Sequence, residues 1–231
     1  MEAKNYTDAA QNYVKDLHDY IEYWTYSGAK VFTADYCFYW FNYKAGYNTV
    51  LAEFGWNHSR QLNIALCRGA ANAQNKDWGA IITWTYNDTP YIESGEKLYD
   101  DMTLAYHAGA KYVVIFDSPK ILRYGILTEE HFDALEKFWN YIHSSPQNYG
   151  VDQGKVAYVL PMDYGFGFRS ASDKIWGLWN ADDLAPKIWD DVNKLIDQHG
   201  SHLDVVYSDS EFNNVIQRHY DKLIFWNETV A

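Results

Sequence analysis

The apolar positions of this chain change their period as they run. From about residue 6 to 27, Ala10, Tyr13, Val14, Leu17, Ile21 and Trp24 recur at steps of three and four, which predicts a helix packed on a sheet, and Ser27-Gly28 stops it. Lys30 to Tyr36 then predicts a strand. The following run, Tyr36-Cys-Phe-Tyr-Trp-Phe-Asn-Tyr43, is too aromatic for a solvated loop and reads partly as the wall of a site and partly as packing. A second strand begins at Val50. Its apolar run Leu51-Ala52 ends abruptly in the carboxylate of Glu53, with Gly55 placed for a sharp turn. Ser59 to Ala73 predicts a helix with Leu62, Leu66 and Ala70 on one face, closed by Trp78-Gly79. A third strand, Ala80 to Tyr86, leads into the turn-rich loop Asn87 to Gly95. A helix from Glu96 to Ala108 follows, with Leu98, Met102 and Ala105 inward and Gly109 at its end, and then a fourth strand from Tyr112 to Asp117. Thr128 caps a helix from Glu129 to His143 whose inward face is Phe132, Leu135, Phe138, Trp139 and Ile142. By this spacing Trp24 and Trp139 belong to the core.

Three phrases, Gly28-Ala-Lys-Val, Gly79-Ala-Ile-Ile and Gly109-Ala-Lys-Tyr, each close a helix and open a strand, so the chain repeats one αβ unit and a parallel β/α architecture follows. Ser144 to Gly154 reads as a linker that divides residues 1–145 from a smaller domain at 155–231. The smaller part predicts a strand at Lys155 to Leu160, a long loop to about Asp183, a helix through His199, a strand at Leu203 to Tyr207, a helix capped by Ser208 and Glu211, and a strand at Lys222 to Trp226. This βαβαβ order makes a small three-layer domain with right-handed crossovers. Its loop from Pro161 to Arg169 alternates glycines but lacks Gly-x-Gly-x-x-Gly, which argues against a dinucleotide.

Charge and composition narrow the partners. The formal charge of −12 disfavours nucleic acid and anionic membrane surfaces, and a neutral or cationic ligand fits better. Two cysteines, Cys37 and Cys67, lie among apolar or small residues as inert core thiols would. No apolar run reaches the roughly 20 residues of a membrane span, and the amino terminus lacks the apolar region of a signal peptide. The expectation is a soluble chain, cytoplasmic as given, or extracellular if it is cut from a secreted parent. The 21 Tyr and 10 Trp suit a surface that stacks on one face and hydrogen-bonds at one edge, as sugars require. The histidines share no metal-ligand spacing, and neither a Gly-x-Ser-x-Gly elbow nor a phosphate loop occurs, so no metal and no cofactor are expected.

With these units in place, and with the phrases Leu51-Ala-Glu-Phe-Gly-Trp56 and Ala157-Tyr-Val-Leu-Pro-Met-Asp-Tyr-Gly-Phe166, the chain resembles the carboxy-terminal part of glycoside hydrolase-like proteins of the β-galactosidase type. Phrases of this kind are also similar to those of archaeal and bacterial proteins without an assigned reaction. The resemblance implies an α/β fold made of the second half of a TIM-type (β/α)8 barrel followed by a flavodoxin-like domain. It implies that the strands at Lys30, Val50, Ala80 and Tyr112 are the fifth to eighth of the barrel. The nucleophile of such retaining hydrolases follows the seventh strand, which points to the loop carrying Glu93, and the acid/base follows the fourth, which this chain does not contain.

Hydrolysis of a glycosidic bond needs two carboxyl groups, about 5 Å apart for retention and about 6.5–9.5 Å for inversion. Glu53 and Glu93 are the candidates, one held ionised by Arg60 or His58 and the other raised in pKa among aromatic rings. The plainer alternatives are that Glu53 pairs with Arg60 and that Glu93 begins a helix beside Ser94. Trp56, Trp84, Tyr86 and Tyr91 are placed to stack on sugar rings. Asn57, His58 and Arg60, with Asp35 and Asp117 at strand ends, supply hydrogen bonds, although Asp117-Ser-Pro119 also reads as a turn. The function expected is a carbohydrate-active protein, a glycoside hydrolase or part of one, acting on a neutral oligosaccharide or polysaccharide. The alternative is a non-catalytic glycan-binding or assembly module. Four strands cannot close a barrel that needs eight, so the edges near Lys30 and Tyr112 predict a homo-oligomer or association with an amino-terminal barrel half.

Overall fold

The computed structural model describes residues 3–55, 58–82, 93–117 and 125–230. Helix α1 (Tyr6–Tyr26) leads to strand β1 (Phe32–Asp35), helix α2 (Tyr39–Lys44), strand β2 (Thr49–Phe54), helix α3 (Arg60–Ala73) and strand β3 (Asp77–Ile82). Helix α4 (Gly95–His107), strand β4 (Tyr112–Ile115) and helix α5 (Glu129–Ser144) complete the first part. Strand β5 (Val156–Leu160), helix α6 (Leu184–His199), strand β6 (Leu203–Tyr207), helix α7 (Asn213–His219) and strand β7 (Lys222–Phe225) make the second. The class is α/β with parallel sheets, as the alternating periods predict: one sheet has the order β1-β2-β3-β4 and the other β6-β5-β7.

Capping side chains set most helix starts. Asn5 Oδ1 accepts from the Asp8 amide at 2.8 Å, and Ser59 and Ser94 do the same for Leu62 and Lys97 at 3.3 Å each. Gly28 (φ 79°) and Gly109 (φ 86°) carry the chain out of α1 and α4 through the left-handed region. Gly79 does not close a helix as its phrase suggests, because it lies inside β3. A Cβ there would meet Leu51 Cδ2 and the Tyr112 carbonyl oxygen at 2.6 Å each, so Gly79 is the bare spot that lets its neighbours close in. The aromatic run before β2 forms the short helix α2, with Tyr39, Trp40, Phe41 and Tyr43 all buried. The expected cap at Ser208 and Glu211 does not form. Phe212 precedes α7 instead, and the Asp209 carbonyl accepts from the Phe212 and Asn213 amides at 3.0 Å.

The two faces of the first sheet differ. Registered neighbours on parallel strands point the same way. Val50, Ala52, Phe54, Ala80 and Ile82 therefore share one face, all of them fully buried beneath helices. Phe32, Leu51, Glu53, Gly79, Ile81, Tyr112 and Val114 share the other, and there the rings of Phe32 and Tyr112 touch although they stand on the first and last strands. Helix α3 lies between the sheets, with eleven of its fourteen residues buried. Its Gly69 comes so close to β6 that a Cβ would sit 2.4 Å from the Val205 carbonyl oxygen. Its neighbour Arg68 donates through Nε to Asp204 Oδ1 at 2.8 Å and through its terminal nitrogens to the carbonyls of Asp152, Ser201 and Leu203, while Tyr220 and Asn72 donate to Asp204 Oδ2. This buried pair is fully hydrogen-bonded on both sides.

Three residues predicted to face inward are on the surface. Trp24 is 54% exposed and Trp139 is 62% exposed, and Phe132 on the same helix as Trp139 is 58% exposed. The apolar stripes of α1 and α5 are real but wider than the sheet beneath them. Trp24 lines a groove beside β1, and Trp139 lines one beside β4 with Val113, Leu135 and Phe138. Among the described residues β1 and β4 each pair with one neighbour, so both grooves run along open sheet edges.

Candidate functional site at the strand ends

Glu53 ends the apolar stretch of β2 on the face that the helices leave bare. Its side chain is half-buried and makes no hydrogen bond or ion pair with any described residue, while its own carbonyl accepts from Asn63 Nδ2. Burial, and then the charge of Asp35, raise its pKa above the usual carboxylate range.

Glu93 is built differently. It is 7% exposed and precedes the Ser94 cap of α4. Arg60, from the first turn of α3, donates through one terminal nitrogen to Glu93 Oε2 at 3.1 Å and through Nε to Asp101 Oδ2 at 2.9 Å, and its other terminal nitrogen binds the carbonyls of Gly55 and His58. Lys97 approaches Glu93 at 3.4 Å from a half-exposed position. The ion-pair geometry alone would lower the Glu93 pKa. Burial and the adjoining Asp101 carboxyl outweigh it and raise the value to about 7, because one buried guanidinium is shared between two carboxylates. Glu93 Oε1 is buried without a hydrogen-bond partner. From behind, buried His131 closes the site: its Nδ1 accepts from the Thr128 amide at 2.9 Å, so Nε2 donates to the Glu93 carbonyl at 2.8 Å.

Arg60 thus serves Glu93 and Asp101. The surroundings of Glu53 contain Asp35, and those of Glu93 contain Asp101, Arg60 and Lys97, so each candidate carboxyl has its own set of neighbours. Asp35 lies on the helix-covered face. Its Oδ1 accepts from the amides of Tyr36, Cys37 and Phe38 at 2.7–3.1 Å, and its Oδ2 from Asn42 at 2.6 Å, which occupies it in starting α2. Asp117 is exposed: Oδ1 accepts from the Ile126 amide at 2.6 Å, and Oδ2 lies where a Cβ on Gly125 would be 2.2 Å away, while Ser118 and Pro119 lie outside the described residues. Trp56, Asn57, Trp84, Tyr86 and Tyr91 lie outside the described residues. Cys37 and Cys67 are buried, and burial raises both thiols.

His58 stays at the rim, with its ring 6.3 Å from that of Tyr36, and burial, Arg169 and Arg60 lower its pKa. Arg169 went unnoticed in the sequence because it stands 133 positions beyond Tyr36. Its guanidinium lies 4.5 Å above the Tyr36 ring and donates to the Tyr36 hydroxyl. The signal that points to it is the Gly165-Phe-Gly-Phe-Arg169 stretch. A Cβ on Gly165 would strike the Trp176 ring at 2.4 Å, and one on Gly167 would strike Asp173 Oδ2 at 2.2 Å. Asp163, Phe168 and Trp176 in the same loop all have φ near +57°. Trp176 ties this loop to the first sheet's helices through Phe38, with rings stacked at 5.0 Å, and Phe41 at 4.5 Å.

Among the described residues the strand ends therefore hold one carboxyl without a hydrogen-bond or ion-pair partner, one carboxyl locked in an ion-pair network, and an arginine delivered from the loop after β5. Among the described residues no three His, Cys, Asp or Glu side chains are grouped to hold a metal ion, and no helix is long and apolar enough to cross a membrane. Comparison of the chain with protein-family models, curated proteins and solved structures finds no match.

Proposed function

We propose that this chain is a carbohydrate-active protein whose bare sheet face binds a neutral oligosaccharide or polysaccharide, with Glu53 as the carboxyl that meets a sugar hydroxyl or glycosidic oxygen. One observation carries the reading: a half-buried carboxyl with a raised pKa and no partner among the described residues stands at the end of a parallel strand, where β/α proteins hold their chemistry. The curvature that brings Phe32 to Tyr112 supports the finer fold reading, the second half of a TIM-type barrel followed by a flavodoxin-like βαβαβ layer. The open edges of β1 and β4, flanked by exposed Trp24 and Trp139, support association with a further body, either another copy or an amino-terminal barrel half.

In the hydrolase form of this reading Glu53 and Glu93 divide the roles of acid and base. The engagement of Glu93 by Arg60 and Asp101 favours the second form, a non-catalytic glycan-binding module, because it leaves Glu53 as the one candidate carboxyl free to reach a ligand. Titration with a panel of neutral oligosaccharides, read by tryptophan fluorescence, tests the shared claim, and release of an aryl aglycone from the same sugars separates the two forms. Binding without turnover identifies the module, and turnover identifies the hydrolase. A panel that produces no response from the folded chain rejects both.

A further inference from the structure

We infer that Arg169, with Tyr36 and His58, forms a carboxylate-binding subsite at the β1 end of the rim, so that a sugar chain bearing one acidic unit such as a uronate binds there more tightly than its neutral counterpart. This rests on the carbohydrate reading and names one chemical feature of the ligand.

Three observations carry it. First, Arg169 is exposed, yet its guanidinium is fixed in place by the Tyr36 ring beneath it and the Tyr36 hydroxyl at its side. A stacked guanidinium keeps its remaining N–H donors in one plane, the geometry that matches a carboxylate bidentately. Second, Asp173 forms no ion pair with it. Asp173 spends its carboxylate on the backbone amides of Arg169 at 3.0 Å and Lys174 at 2.8 Å, and among the described residues Arg169 has no ion pair. Third, the backbone is held at a cost. Phe168, immediately before Arg169, is buried at φ 57°, a left-handed conformation that a bulky residue adopts only where surrounding packing enforces it. The loop that enforces it is anchored to α2 through Trp176.

Whole-chain charge points the other way, since −12 repels anions at long range. Beyond about one Debye length, roughly 8 Å at physiological salt, that repulsion is largely screened, and the field at the rim is set by its near neighbours. Those neighbours are Arg169 and Arg60 on the positive side, with Glu53, Asp35 and Asp173 on the negative, while the lowered pKa of His58 leaves its imidazole as a neutral hydrogen-bonding group. Arg60 and Asp35 are already engaged by their own partners, which leaves Arg169 to meet an incoming carboxylate.

The test compares galacturonate oligomers with galactose oligomers of equal length, titrated calorimetrically against the full chain and against Arg169→Met and Arg169→Lys. The expected result is about tenfold tighter binding of the acidic oligomer than of the neutral one at low salt, with that ratio falling to about one in R169M and to an intermediate value in R169K. Neutral binding with no acidic preference, or a preference that survives in R169M, overturns the subsite and leaves the carbohydrate reading standing. Failure of both oligomers to bind overturns both.

Discussion

The rings of Phe32 and Tyr112 meet edge to face with centroids 5.0 Å apart, although one stands on the first strand of a four-stranded sheet and the other on the last. In a flat sheet their strands would be three spacings, about 14 Å, apart. The contact is therefore a measure of how far the sheet curls, and Gly79 between them is the residue whose missing Cβ makes room. A double-mutant cycle with Phe32→Leu and Tyr112→Leu, read from urea unfolding, should give a coupling of about 0.5–1.5 kcal/mol between the rings. Additive effects would mean that the two edges do not approach each other in solution.

Helix α3 makes a second expectation whose sign separates local propensity from packing. Alanine is favoured over glycine in a helix by about 1 kcal/mol, so Gly69→Ala on a free helix would stabilise. Here the new Cβ would lie 2.4 Å from the Val205 carbonyl oxygen, and backbone cannot step aside cheaply. Destabilisation of about 1–3 kcal/mol is expected from such overpacking. The neighbouring Arg68→Ala should cost about 3–5 kcal/mol, because it leaves Asp204 buried without its cation. Urea midpoints of the two variants check both figures.

Glu93 gives the chain a pH dependence of defined sign. Its pKa in the folded state is about 7 against an ordinary value of 4.5, so the folded chain holds a proton that the unfolded chain has lost between those values. The contribution to stability is complete below the lower value, declines as pH rises through the window and is gone above the upper one. Unfolding midpoints should therefore fall between about pH 5 and 7 on this account. Glu93→Gln, which keeps the shape without the charge, should flatten that slope and unfold later than the parent above neutrality. A parent curve that is flat or rising through the window would show that Arg60 holds Glu93 ionised.

What the sequence made legible follows from the range of the interactions involved. Helices α4 and α5 and strand β6 are set by local periodicity and caps, and they stand where Leu98, Met102, Thr128 and the Leu203–Tyr207 run put them. The second buried face of α3 was hidden, because Gly69, Ala65 and Ala71 look featureless until another strand packs on them. Trp24 and Trp139 carry the right period but meet no strand beyond the sheet edges, which spacing alone cannot reveal. At the rim, Glu53 was visible as the polar end of an apolar run. The partition of Arg60 between Glu93 and Asp101, and the arrival of Arg169 over Tyr36, depend on contacts between residues 33, 41 and 133 positions apart.

Glu53 is the carboxyl through which we propose the rim meets a sugar, and the most direct test is a calorimetric titration of the parent chain and Glu53→Gln with the oligosaccharide that binds best. Because the Glu53 pKa is raised, the parent's affinity should change with pH above the ordinary carboxylate range, while E53Q, fixed in its neutral form, should show none of that change. Loss of the Glu53 charge should weaken binding above that range by about 1.5–3 kcal/mol, the worth of a hydrogen bond to a charged group. Equal affinity and the same pH profile in both proteins, with the fold of each intact, would contradict the account.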